Sequence, residues 1–78
     1  MIVQIQIRNV YGNDVAYPAN DPADCIANIA GTKTLTRNTL VNVLAMGCTI
    51  EEIDRHGNVS RSYSADQGAI GVHLPRVA

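Results

Sequence analysis

Val3-Gln4-Ile5-Gln6-Ile7-Arg8, followed by Tyr11-Gly12-Asn13-Asp14 and Val15-Ala16-Tyr17-Pro18, is the stretch that decides how the chain begins to fold. In extended chain Val3, Ile5 and Ile7 fall on one side and Gln4, Gln6 and Arg8 on the other, the period-two pattern of a half-buried strand. Gly12, Asn13 and Asp14 tolerate positive φ, so the chain turns back there. Val15-Ala16-Tyr17 reads as a short return strand. Pro18 closes it, because a residue without an amide hydrogen suits the edge of a sheet. A β-hairpin therefore opens the protein.

The period then changes. Asn20 or Asp21 can cap a helix, Pro22 suits its first turn and Asp24 complements its positive end. Ile26, Ile29 and Ala30 are expected on its buried face, and Gly31 is a natural stop. After the connector Gly31-Thr32-Lys33-Thr34 and a hydrophobic anchor at Leu35, a second helix is expected. Thr36 is its cap, Leu40, Val43 and Leu44 form its buried stripe, and Gly47 ends it. Beyond Cys48 the pattern is extended again. Ile50 and Ile53 fall on opposite faces of Thr49-Ile50-Glu51-Glu52-Ile53, which predicts a bulge or frayed end near the two glutamates. Arg55-His56-Gly57-Asn58 is a second turn, and Val59, Arg61 and Tyr63 alternate with Ser60, Ser62 and Ser64 in a second hairpin.

The expected fold is α+β, in the order β-β-α-α-β-β, with two hairpins forming an antiparallel sheet and two short helices on one face. Residues 1–64 make one small domain. Residues 65–78 are a C-terminal tail that can add a short strand at 70–74. The expected core is Val3, Ile5, Ile7, Ile26, Ile29, Leu35, Leu40, Val43, Leu44 and Ile50. It lacks a large aromatic and is thin for 78 residues, and homodimerisation through an edge strand or the apolar tail would relieve that deficit.

Composition excludes several classes. Six basic residues against seven acidic ones leave a net charge of −1, so no general basic field gathers nucleic acid. No run of about 18 apolar residues spans a membrane, and no basic, then apolar, leader precedes the first strand. A cytoplasmic location with no membrane partner is expected. Two cysteines, Cys25 and Cys48, read as reduced apolar side chains rather than as a disulfide framework.

Catalysis finds no constellation. Cys25, Cys48, His56 and His73 are scattered singly, without metal-ligand spacing, so no metal and no cofactor is implied. Gly31-Thr32-Lys33-Thr34 follows a helix and lacks the lead of a phosphate loop. Gly68-Ala69-Ile70-Gly71 has the spelling of a nucleic-acid clamp without its basic setting. Glu51 and Glu52, adjacent on a strand, point to opposite faces and cannot share a proton. Ser60, Ser62 and Ser64 have no histidine–acid partner. The chain is expected not to be an enzyme.

Two binding readings remain. In the first, the chain is a protein-interaction protein: a surface rich in Asn, Thr and Ser can be buried without stranding ions, and Tyr11, Tyr17 and Tyr63 are the expected anchors for an unidentified protein partner. In the alternative, residues 22–46 form a helix-turn-helix-like unit of a small DNA-binding transcriptional regulator. Ala27 and Gly31 then take the spacing of that motif, and Lys33, Arg37 and Asn38 face the groove. Arg37 stands where the motif wants an apolar residue, and two cations are few for phosphate contact.

Ile5-Gln6-Ile7-Arg8-Asn9-Val10-Tyr11-Gly12 with Tyr17-Pro18, and Ala30-Gly31-Thr32-Lys33-Thr34-Leu35-Thr36 with Leu40 and Leu44-Ala45-Met46-Gly47, resemble short uncharacterised accessory proteins carried by phages and plasmids. The likeness covers residues 3–53. It implies a bacterial or viral cytoplasmic setting and a non-catalytic accessory role, such as inhibition of a host enzyme or defence complex, as by an anti-CRISPR protein. Residues 39–53 also resemble the last helix and strand of antitoxin-type repressors.

Overall fold

A computed structural model describes residues 1–64 and Val77. The expected strand at 70–74, His73 and the Gly68–Gly71 stretch lie outside these residues. The described elements are β1 (Ile2–Val10), β2 (Asn13–Pro18), α1 (Asp21–Ala30), α2 (Arg37–Ala45), β3 (Thr49–Ile53) and β4 (Val59–Tyr63). They form an α+β unit with a four-stranded sheet in the order β2-β1-β3-β4.

The first hairpin pairs Ile5 with Pro18 and Val10 with Asn13. Its two-residue turn places Tyr11 at φ 52° and Gly12 at φ 82°, both left-handed, as in the primed turns whose twist suits adjoining strands. β2 is an edge strand, as Pro18 predicts. Part of its outer edge is occupied by the connector, since the Leu35 amide donates to the Ala16 carbonyl at 2.8 Å.

Asn20 joins the hairpin to the first helix. Its Oδ1 accepts the Ala23 amide at 3.1 Å, capping α1, and also the Gln4 amide at 3.1 Å. Its Nδ2 donates to the Ile2 carbonyl at 3.0 Å. The Ala19 amide reaches the Gln4 carbonyl at 2.8 Å, so the Asn20 side chain continues the ladder beyond the end of β2. At the other end of α1, Gly31 is left-handed at φ 74° and the Thr32 amide returns to the Ala27 carbonyl, which closes the helix as only glycine does without a Cβ penalty. Thr36 caps α2, accepting the Thr39 amide at 3.3 Å.

The sheet is mixed, which corrects the expectation of an antiparallel one. Both hairpins are antiparallel, but β3 runs parallel to β1, with Val3 opposite Ile50. β2 ends beside Gln4, and β3 begins beside Ile2. Two intervening helices thus return the chain to the end of the sheet it left, and a strand starting there alongside β1 must run parallel to it. The register shift expected near the glutamates lies between Glu52 and Ile53.

Val3, Ile5, Ala16, Ile50 and Tyr63 from the sheet, with Leu35 and the buried helix residues, form one cluster. α2 buries Leu40, Val43 and Leu44 as expected. α1 buries Ala23, Ile26 and Ala27 instead of Ile26, Ile29 and Ala30; Ile29 is 86% exposed. Both triplets have helical spacing, but the stripe with two alanines lets the helix backbone come close to β1 and β2. Ile7 is only half-buried at the margin, and Val77 packs against the cluster from the far end of the chain.

Asn20→Ala removes the cap and leaves the Gln4 amide without its acceptor. Chemical denaturation is expected to show a loss of about 1–3 kcal/mol, whereas Asn28→Ala, on the exposed side of the same helix, stays within about 0.5 kcal/mol of the parent.

Candidate protein-interaction surface

The helices cover one side of the sheet. On the other, β1 presents Gln4, Gln6 and Arg8, flanked by Tyr17 from β2 and by Glu51 and Ser62 from β3 and β4, as the pairings require. These side chains hold one another. Gln4 Nε2 donates to Glu51 Oε1 at 3.0 Å. Arg8 donates through Nε and Nη2 to Gln6 Oε1 at 3.1 and 2.8 Å, and its guanidinium lies over the Tyr17 ring, 5.3 Å from the centroid. A cation held over a ring by a second contact is a pre-arranged pair. Ile2 and Val59 are about half exposed, and Val15 and Ile53 are half-buried along the same face.

The three tyrosines are placed differently. Tyr11 is fully exposed, at 100%, on the tip of the hairpin. Tyr17 is half-buried on the open face. Tyr63 is not presented to a partner: it is 5% exposed on the helix side of the sheet, opposite Ile50, and donates to Glu52 Oε2 at 3.0 Å. Tyr63 was expected as an anchor from its residue type, and the alternation of its strand shows its period but not which side the helices cover.

Lys33 lies exposed in the connector, and Arg37 and Asn38 are exposed in the first turn of α2. The connector between them is tied to the sheet edge through Leu35, so α2 is oriented by the sheet beneath it.

A second surface lies between the helices. Ile26, Ile29 and Ala30 along α1, with Thr39, Asn42 and Val43 along α2 and Met46 at its C-terminal cap, line a groove of about 290 Å³. Ile29 and Met46 are 86% and 67% exposed. No signal in the sequence pointed here, because Ile29 was expected inside.

The three clustered carboxylates are engaged separately. Glu51 accepts from Gln4, Glu52 from Tyr63, and Asp54 Oδ1 from the His56 and Asn58 amides at 2.8 and 3.0 Å, which builds the second turn. Among the described residues no group of three or more His, Cys, Asp or Glu side chains could hold a metal ion, and no helix is long and apolar enough to cross a membrane. Cys25 is exposed and Cys48 buried, both as free thiols. Comparison with family models, curated proteins and solved structures gives no match.

Burial and then the hydrogen bond to Glu52 raise the Tyr63 hydroxyl above its usual value of 10.0, against a smaller opposing effect of Arg61. A raised folded value means that the unfolded chain ionises first. The stabilisation is therefore fully present below pH 10 and is lost as pH rises through the folded value. Alkaline titration followed by denaturant unfolding is expected to show this loss in the parent and to show it reduced in Tyr63→Phe.

Proposed function

We propose that this chain is a small non-catalytic protein-interaction protein of phage or mobile-element type, which binds a host protein through the tip and open face of its first hairpin. The observation that carries this reading is Tyr11. An L-residue in the left-handed region costs about 1–2 kcal/mol, and the first position of such a turn favours Asn or Gly. Tyr11 sits there with its whole side chain in solvent, so packing does not repay the strain. A strained, exposed aromatic is explained by what it binds. Six residues on, Tyr17 stands under Arg8, and Tyr and Arg are the residue types that carry most binding energy at interfaces. The resemblance to mobile-element proteins extends the proposal to inhibition of a host enzyme or defence complex, with the anti-CRISPR proteins as one instance, in the host cytoplasm.

The proposal predicts opposite effects of one substitution. Tyr11→Asn is expected to stabilise the fold by up to about 1 kcal/mol while weakening capture of the specific host protein about tenfold or more. Tyr17→Ala should weaken capture as well, and Lys33→Ala with Arg37→Ala should leave it unchanged. Binding titrations and thermal unfolding of the same samples check both. Unchanged capture by Tyr11→Asn contradicts the proposal. So does binding to duplex DNA that falls steeply with salt and loses that slope in the Lys33, Arg37 double variant, the mark of a regulator reading phosphates.

A further inference from the structure

The first hairpin outruns the sheet that carries it. β3 lies beside β1 only as far as Gln6, and no other described strand takes its place beside residues 7–10. On β2 the connector reaches the edge at Ala16. Past these limits residues 8–15 form a two-stranded ribbon in which no residue is buried. Three strand residues and the turn carry its apex, Tyr11, about 10 Å beyond the last pair of β1 with β3.

A free two-stranded ribbon is only marginally stable in water, and this one is stapled. Asn9 Oδ1 accepts the Gly12 amide at 3.3 Å, and Asn9 Nδ2 donates across the strands to Asp14 Oδ1 at 3.3 Å. Arg8 is held at the base by Gln6 and by the Tyr17 ring. Much of the ordering that binding demands is therefore met in the free chain. The ribbon's charges are Arg8 and Asp14, which cancel.

A β-ribbon enters either the major groove of duplex DNA, about 12 Å wide, or a cleft in a protein. Charge decides between them. Phosphate walls call for several cations, and this ribbon brings one, opposed by one carboxylate and fronted by an uncharged ring. Protein clefts are mostly apolar with a few polar groups, which suits it. Shape then decides between a cleft and a flat surface. A tyrosine that is wholly exposed on a convex apex leaves much of its ring in water against a flat partner, whereas a hole buries the about 150–250 Å² that such a side chain offers.

We propose that the ribbon enters the substrate cleft of a host enzyme apex first, with Tyr11 on the cleft floor and both sides of residues 8–15 against its walls. The inference rests on the host-binding reading and adds to it the shape and class of the partner. It requires contact at Asn9 and Asp14, on the side that faces the helices, as well as at Val10 on the open side.

The test uses the full chain and the host protein that it captures. The pair that closes a two-residue turn is hydrogen-bonded, so the amides of the next pair, Asn9 and Asp14, point outward from opposite edges of the ribbon. In the complex, exchange at both amides is expected to slow at least about tenfold, a readout that needs no substitution and so no refolded variant. Val10→Lys and Asp14→Lys should each weaken capture about tenfold or more, while Asp14→Asn stays within about threefold of the parent. The chain should raise the apparent KM of the captured enzyme and leave its kcat unchanged. Slowing at one edge alone, with only Val10→Lys weakening capture, means flat docking and overturns this proposal while the Tyr11 reading stands. A captured protein whose activity the chain does not inhibit overturns it as well. Duplex DNA that slows the same two amides overturns it in favour of the major groove. Capture unchanged by Tyr11→Asn overturns the host-binding reading and this proposal together.

Discussion

The side chain of Asn20 is the joint on which the rest of the molecule hangs. β2 ends at Pro18, while β1 continues for three more residues towards its start. The amide of Gln4 and the carbonyl of Ile2 would be left without a partner on that side. One carboxamide answers both, and the oxygen that accepts from Gln4 also accepts from Ala23 at the head of α1. The start of the central strand and the start of the first helix are thereby fixed relative to each other by one residue. Serine or aspartate caps a helix as well as asparagine does, but neither also supplies the amide donor that the Ile2 carbonyl takes here.

From that joint the layer arrangement follows. α1 leaves the sheet at the end where β1 begins, α2 returns there, and β3 enters beside the free edge of β1. Residues 19–48, between β2 and β3, are enough for the crossover that a parallel pair requires. With β1 and β3 central, Val3, Ile5 and Ile50 are fully buried under the helices. The opposite side of the same strands holds Gln4, Gln6, Arg8 and Glu51 in mutual hydrogen bonds. One face is consumed by folding, and the other is left organised and available.

Much of this was legible from residues alone because it depends on local chemistry. The hairpin, a helix cap at Asn20 or Asp21, the glycine at the end of α1, the Thr36 cap and the stripe of Leu40, Val43 and Leu44 are each set within a few positions of sequence. The parallel pairing was not legible: alternation tells which side a residue faces, not which strand lies beside it. Ile29 was misplaced because a ten-residue helix admits two apolar stripes one step apart, and two alanines gave the stripe from Ala23 the closer approach. Of the candidate anchors, Tyr11 and Tyr17 lie on accessible surface and Tyr63 does not, since the bulge in the second hairpin and the side the helices occupy are both tertiary facts. The groove between the helices was invisible for the same reason as Ile29.

The claim that one side chain substitutes for a missing strand is tested most directly by hydrogen exchange at the Gln4 amide. Its acceptor is the Asn20 carboxamide at 3.1 Å, so it should exchange as slowly as the neighbouring ladder amides of β1. Exchange at Gln4 at the rate of an unbonded amide, while Val3 and Ile5 remain protected, would contradict the account.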